Sequence, residues 1–164
     1  MFRVFIGLGS NVGDRLRYLS EAVHEIQQIV RVVRISSIYE TEPVGMKSEQ
    51  SFYNMVIETE TSLLPKHLLS NLKGIETKFG RKADSHMMPR EIDIDIELYD
   101  GYAFKDESVE VPHLELSKRK FLLESFNEIA PHTIHPLLKK TMQELCRSCT
   151  DSHNVVQTNY SLTA

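Results

Sequence analysis

The sequence predicts an α+β fold of the ferredoxin-like kind: a mainly antiparallel sheet in βαββαβ order, with helices packed on it and C-terminal additions. Two observations carry this expectation. Segments of alternating and of helical periodicity follow one another in that order over residues 3–99. The second and third strand segments are joined by a loop and not by a crossover helix, as an antiparallel pair allows and a parallel pair does not. One domain spanning 1–164, without internal repeats, follows from a length that can bury an ordinary core.

Residues 3–7 read as the first strand, and Leu8 to Gly13 as a Gly/Ser/Asn loop. Asp14 suits the N-cap of a helix whose stripe is Leu16, Leu19, Val23, Ile26 and Ile29. β-Branched residues dominate Val30 to Tyr39, the second strand. Pro43 and Gly45 mark Glu40 to Ser51 as a long loop, a kind of segment that tends to carry function. Phe52 to Glu60 is the third strand, and Pro65 opens a helix that runs through Phe79. A loop from Gly80 to Met88, with Arg81, Lys82 and His86, leads into the fourth strand, Glu91 to Tyr99. Asp100-Gly101 signals a hairpin. A short strand near 108–111, an extended Val111-Pro112-His113 and short helices complete the chain. The last dozen residues are polar and are expected to fray.

Composition narrows the function. Hydrophobic residues make up 41% and charged residues 26%, ordinary globular values. A net charge of −4 argues against a general nucleic-acid binder. No apolar run reaches membrane-spanning length, and the first residues are too few for a signal core, so the expected location is cytoplasmic. Cys146 and Cys149 form a lone C-x-x-C on a helical pattern, read as two reduced thiols.

The densest chemistry lies in Pro89-Arg90-Glu91-Ile92-Asp93-Ile94-Asp95-Ile96. Alternation along a strand puts the isoleucines on one face and Asp93 and Asp95 on the other, their Cβ atoms roughly 6–7 Å apart. Two carboxylates this close call for a cation. Oxygen ligands without a Cys/His cluster suit Mg²⁺ better than Zn²⁺, and Mg²⁺ completes its shell with water and phosphate oxygens. Arg90 adds a bidentate donor for phosphate. An amphipathic strand with a wet acidic face is the plain alternative. A second cluster, His113 with Lys118-Arg119-Lys120-Phe121, would add to Arg81, Lys82 and Arg90 enough positive charge for a polyphosphate. Asn54 is polar among apolar neighbours, either solvent-facing or a donor–acceptor pair for a heterocycle edge.

A rival comes from Gly7-x-Gly9-x-x-x-Gly13, which follows a strand, opens a helix and has Glu40 downstream, near a dinucleotide-binding fingerprint. The chain is short for a doubly wound sheet, and the rival leaves the paired aspartates unexplained. A tight strand-to-helix turn accounts for these glycines more simply.

Taken together, Gly9-Ser10-Asn11, Tyr39-x-Thr41-x-Pro43-x-Gly45, Phe52-x-Asn54, Glu76 before Gly80-Arg81, Pro89-Arg90-x-x-Asp93-x-Asp95, Val111-Pro112-His113 and Arg119-x-Phe121 make the chain resemble the 6-hydroxymethyl-7,8-dihydropterin pyrophosphokinases of folate biosynthesis over essentially its whole length. The resemblance implies transfer of pyrophosphate from ATP to the pterin hydroxymethyl group, releasing AMP. It implies two Mg²⁺ ions at Asp93 and Asp95, and a pterin pocket of Asn54, Phe121, Phe52, Thr41, Pro43 and Val44. It also places ATP against Glu76, Ile96, His113 and Arg119, with Arg81 and Arg90 acting near the phosphates and Asp95 a further candidate for catalysis. A monomer is expected, with contact to other folate enzymes open. The chain departs from the family pattern at Met87, Met88 and Leu114, and it has no Trp.

Overall fold

The computed structural model describes residues 1–42, 50–79 and 91–164. Strand β1 (Phe2–Ser10) leads through Gly13 to helix α1 (Arg15–Gln27). Gly13 has φ +67°, a left-handed turn that a side chain would strain. Asp14 caps α1, its side chain accepting from the Arg17 amide at 3.1 Å. Strands β2 (Arg31–Ile35), β3 (Tyr39–Thr41) and β4 (Phe52–Thr61) precede helix α2 (Pro65–Lys78), with Pro65 in its first turn. Strand β5 (Asp93–Tyr99) follows, then β6 (Phe104–Lys105), β7 (Glu110–Val111), α3 (Lys120–Ile129), α4 (Met142–Arg147) and β8 (Val155–Gln157).

The main sheet runs β5-β1-β4-β3-β8, with β2 also on β4, and its pairings are antiparallel. This is the ferredoxin-like order, with the second strand divided into β2 and β3. Alternation along the central strands sorts the core into two layers. Val4, Ile6 and Leu8 of β1, with Met55, Ile57, Ile94 and Ile96, meet α1 and α2. Phe5, Val56 and Leu98 meet Leu122, Leu123 and Phe126 of α3, with Met142 and Leu145 of α4. Among the described residues no helix is long and apolar enough to cross a membrane.

Three features differ from the sequence expectation. β1 extends through Leu8 and Gly9 to Ser10, because the strand is paired on both sides and its backbone groups go on finding partners. Asp100, at φ 50°, and Gly101 turn the chain after β5, yet β6 pairs with β7 and not with β5, so no hairpin forms there. The end expected to fray carries β8, which pairs with β3 through Val155, Val156 and Gln157 and covers that edge of the sheet.

Candidate active site

The site grows from one face of three neighbouring strands. Gly9 pairs with Asn54 of β4 on one side and Asp93 of β5 on the other, so Asn54, Gly9 and Asp93 lie abreast. Two residues along, Val56, Gly7 and Asp95 form a second row. These residues are on the α3 side of the sheet, opposite Ile94 and Ile96, whose side chains are buried toward α1 and α2. With neighbouring strands about 4.8 Å apart, the Asn54 and Asp93 backbones are roughly 10 Å apart, with a glycine between them.

Glycine is what lets neighbouring side chains enter that interval. A Cβ on Gly9 would lie 2.6 Å from Asn54 Oδ1 and 3.5 Å from the Phe52 ring. A Cβ on Gly7 would lie 2.5 Å from Glu97 Oε1. Both glycines are therefore strand positions whose missing side chains admit a neighbour, and only Gly13 makes a turn. Neither forms the phosphate-cradling turn of a dinucleotide fold, and among the described residues no two paired strands of the sheet are parallel.

At the Asn54 end the amide Nδ2 donates to Thr41 Oγ1 at 2.7 Å, which fixes the amide plane within a buried pair. Phe52 stands beside it on the same strand face. Arg119 precedes α3 and Phe121 lies in its first turn, the Arg119 guanidinium 5.1 Å from the Phe121 ring centroid. The packing of Leu122, Leu123 and Phe126 on the sheet is what brings this helix start over the site's face.

At the carboxylate end, Lys73 of α2 reaches Asp95 Oδ1 at 3.4 Å, Glu76 Oε1 at 3.0 Å and the Ile94 carbonyl at 2.8 Å. Glu76 is 4% exposed, and its Oε1 also accepts from the Ile94 amide at 2.7 Å, tying α2 to β5. Burial works to lower the Lys73 pKa, but Asp95, Glu76 and Asp93 outweigh it and hold the ammonium above its ordinary value. Lys73, Asp95, Ile96, His113 and Leu114 line an open cleft of about 360 Å³. His113 is anchored by its amide, which donates to the Glu97 carbonyl at 2.9 Å, and its Nδ1 accepts from the Glu115 amide at 3.1 Å.

Glu97 is a third acid on this face. The β1–β5 register shifts between Phe5 and Ile6, so that Ile96 faces Ile6 and Leu98 faces Phe5. Glu97 is the extra residue of that bulge, and its carboxyl occupies the space above Gly7. It is 3% exposed, and its Oε2 has no hydrogen-bond partner among the described residues. Burial, followed by the charges of Asp95 and Asp93, pushes its pKa well above the usual carboxylate range. Neither Lys73 nor Glu97 is singled out by the sequence reading. The i, i+3 spacing of Lys73 and Glu76 on one helix, and Glu97 continuing the i, i+2 series of Asp93 and Asp95, were the available signals.

Among the described residues no group of three or more His, Cys, Asp or Glu side chains is arranged to hold a metal ion. Two carboxylates on a strand, with an ammonium resting on one of them, still fit Mg²⁺, which takes one or two protein carboxylates beside substrate phosphates. The structure thus brings together Thr41, Phe52 and Asn54 at one end and Glu76, Asp93, Asp95, Ile96 and His113 at the other, with Arg119 close enough to the carboxylate end to act on Glu97 and Phe121 at the start of α3 beside it. Pro43, Val44, Arg81, Lys82, His86, Met87, Met88 and Arg90 lie outside the described residues. The two cysteines are free, and burial pushes the Cys146 thiol up to about 11, away from thiolate chemistry.

Comparison with known proteins gives this arrangement its relatives. Residues 5–131 match the family described as 7,8-dihydro-6-hydroxymethylpterin-pyrophosphokinase. A 2-amino-4-hydroxy-6-hydroxymethyldihydropteridine pyrophosphokinase of Aquifex aeolicus is 40% identical over 144 residues, 88% of this chain and 90% of the relative. One of Bacillus subtilis is 42% identical over 127 residues, 76% of each chain. The folic acid synthesis protein fol1 of Schizosaccharomyces pombe is 35% identical over 142 residues, 85% of this chain and 19% of its own length. The solved HPPK-DHPS of Plasmodium falciparum shares the fold with a TM-score of 0.71 at 16% identity, over 90% of this chain. This chain spans 43% of the length of that one.

Proposed function

The chain belongs to the 7,8-dihydro-6-hydroxymethylpterin-pyrophosphokinase family, and we propose that it works with ATP and Mg²⁺. Its function is transfer of pyrophosphate to the hydroxymethyl group of 6-hydroxymethyl-7,8-dihydropterin in folate biosynthesis. The observation that carries the assignment of residues is the register of β4, β1 and β5, which sets the fixed Asn54 amide on one side of Gly7 and Gly9 and the paired carboxylates Asp93 and Asp95 on the other.

In this account Asn54, its amide oriented by Thr41, reads the pterin edge. Phe121 and Phe52 hold the ring, with Pro43 and Val44 completing the pocket. Asp93 and Asp95 hold two Mg²⁺ ions, which neutralise phosphate charge when bound. Glu76, Ile96, His113 and Arg119 contact ATP, and Arg81 and Arg90 act at the phosphates. The hydroxyl oxygen forms a bond to the β-phosphorus and gives up its proton to solvent, the bond from that phosphorus to the α,β-bridging oxygen breaks, and AMP leaves with that oxygen. Such a transfer asks the protein chiefly for positioning and charge neutralisation. The same proposal covers a monomer in the cytoplasm. Contact with other folate enzymes is supported by relatives such as fol1, in which the matched segment is 19% of a folic acid synthesis protein.

Asp93→Ala and Asp95→Ala are expected to remove AMP release by at least about a thousandfold, the scale of lost charge stabilisation in phosphoryl transfer. Thermal unfolding should show both variants folded. Near-normal AMP release by either variant would overturn the assignment.

A further inference from the structure

We propose that Lys73 is the site's built-in counter-ion: its ammonium neutralises Asp95 before ligands arrive, opposes metal without nucleotide, and turns to the phosphates when metal and nucleotide bind together. The inference rests on Asp93 and Asp95 being the metal carboxylates.

Its three contacts are unequal. The two shorter ones, to the Ile94 carbonyl at 2.8 Å and Glu76 Oε1 at 3.0 Å, anchor the ammonium to the wall of the site. The longest, 3.4 Å, is the one to Asp95. Glu76 cannot follow a moving lysine, because the same oxygen is held at 2.7 Å by the Ile94 amide. A cation arriving at Asp95 therefore displaces only the weakest contact and leaves a tethered positive charge beside itself. Like charges at such separations repel, and the metal alone binds against that repulsion. A polyphosphate changes the balance. Lys73 lines the same cleft as Asp95 and His113, and its side chain is 41% exposed, so a phosphate oxygen in the cleft can take the contact that Asp95 gives up. Metal and nucleotide thereby assist each other, and linkage makes that assistance reciprocal. Lys73 is a positioning residue in this role.

The test is Mn²⁺ binding, followed by electron paramagnetic resonance, to the full chain and to K73R, K73Q and K73M. Each is measured with and without α,β-methylene-ATP. Without nucleotide, K73Q and K73M should bind Mn²⁺ about tenfold more tightly than wild type, within the usual range of coupling between sites. K73R should match wild type. With the analogue the advantage should vanish. Equal Mn²⁺ affinity across the series, or K73R behaving as K73Q does, would overturn the inference. K73Q keeps polar contacts available to Glu76 and Ile94, so charge is separated from packing. Asp95→Asn, run in parallel, separates the two levels. Lost Mn²⁺ binding there beside an unresponsive Lys73 series sinks the counter-ion alone, whereas wild-type Mn²⁺ binding by Asp95→Asn sinks both.

Discussion

Gly7 and Gly9 define the site by what they lack. Each lies in a strand whose neighbours project polar groups into the vacated space, Glu97 over Gly7 and Asn54 over Gly9. Gly7→Ala is expected to cost about 1–3 kcal/mol, the usual scale of overpacking, because its Cβ meets a buried carboxyl held by a bulge. In a Glu97→Ala background the same substitution should cost much less. A double-mutant cycle by urea unfolding checks this, and additive losses would show that the two residues do not compete for one space. At this scale the sequence was legible as placement: Asp93 and Asp95 share a strand face as the alternation predicts, and His113 lines the same cleft as Asp95. The glycines were misleading, because a glycine after a strand reads as punctuation. Their strand role emerges only when β4 and β5 pair on either side of β1.

Elements position these residues through the two faces of one sheet. The helical stripe of α1 and the alternation of β5 were readable, since both follow from period. Leu19, Val23 and Ile26 are buried as the spacing predicts, with Ile94 and Ile96 packed in the same core layer. The bulge at Glu97 was not readable, because a one-residue register shift arises from pairing with β1 and not from the strand itself. Nor was β8. Val156 is exposed and Val155 only half-buried, so the strand leaves little hydrophobic pattern and depends on completing the edge of β3. α3 bears most on the proposed site, because its start carries Phe121, with Arg119 just before it. Phe126 anchors it, fully buried with its ring centroid 4.8 Å from that of Phe5. Phe126→Ala is expected to lower unfolding free energy by about 3–5 kcal/mol, measured by urea denaturation. A loss below about 1 kcal/mol would mean that α3 is held by something other than this contact.

Across the whole molecule, the antiparallel sheet gives one face to α1 and α2 and keeps the other for α3 and the site. Asn54 and the Asp93–Asp95 pair, the two ends of the proposed site, lie on that face because β1 stands between β4 and β5 and contributes glycines where they meet. Neither end is assembled by a single loop, so the spacing between them is set by sheet geometry. That spacing is the central claim of the proposal: one sheet face holds a heterocycle edge and a polyphosphate at the distance needed for reaction. The most direct test is AMP release from ATP and Mg²⁺ with and without 6-hydroxymethyl-7,8-dihydropterin, following both nucleotides. AMP that appears only with the pterin, matched mole for mole by pyrophosphorylated pterin and abolished by chelating the metal, is the predicted result. Folded protein that releases no AMP with the pterin, or releases it equally without, would contradict the account.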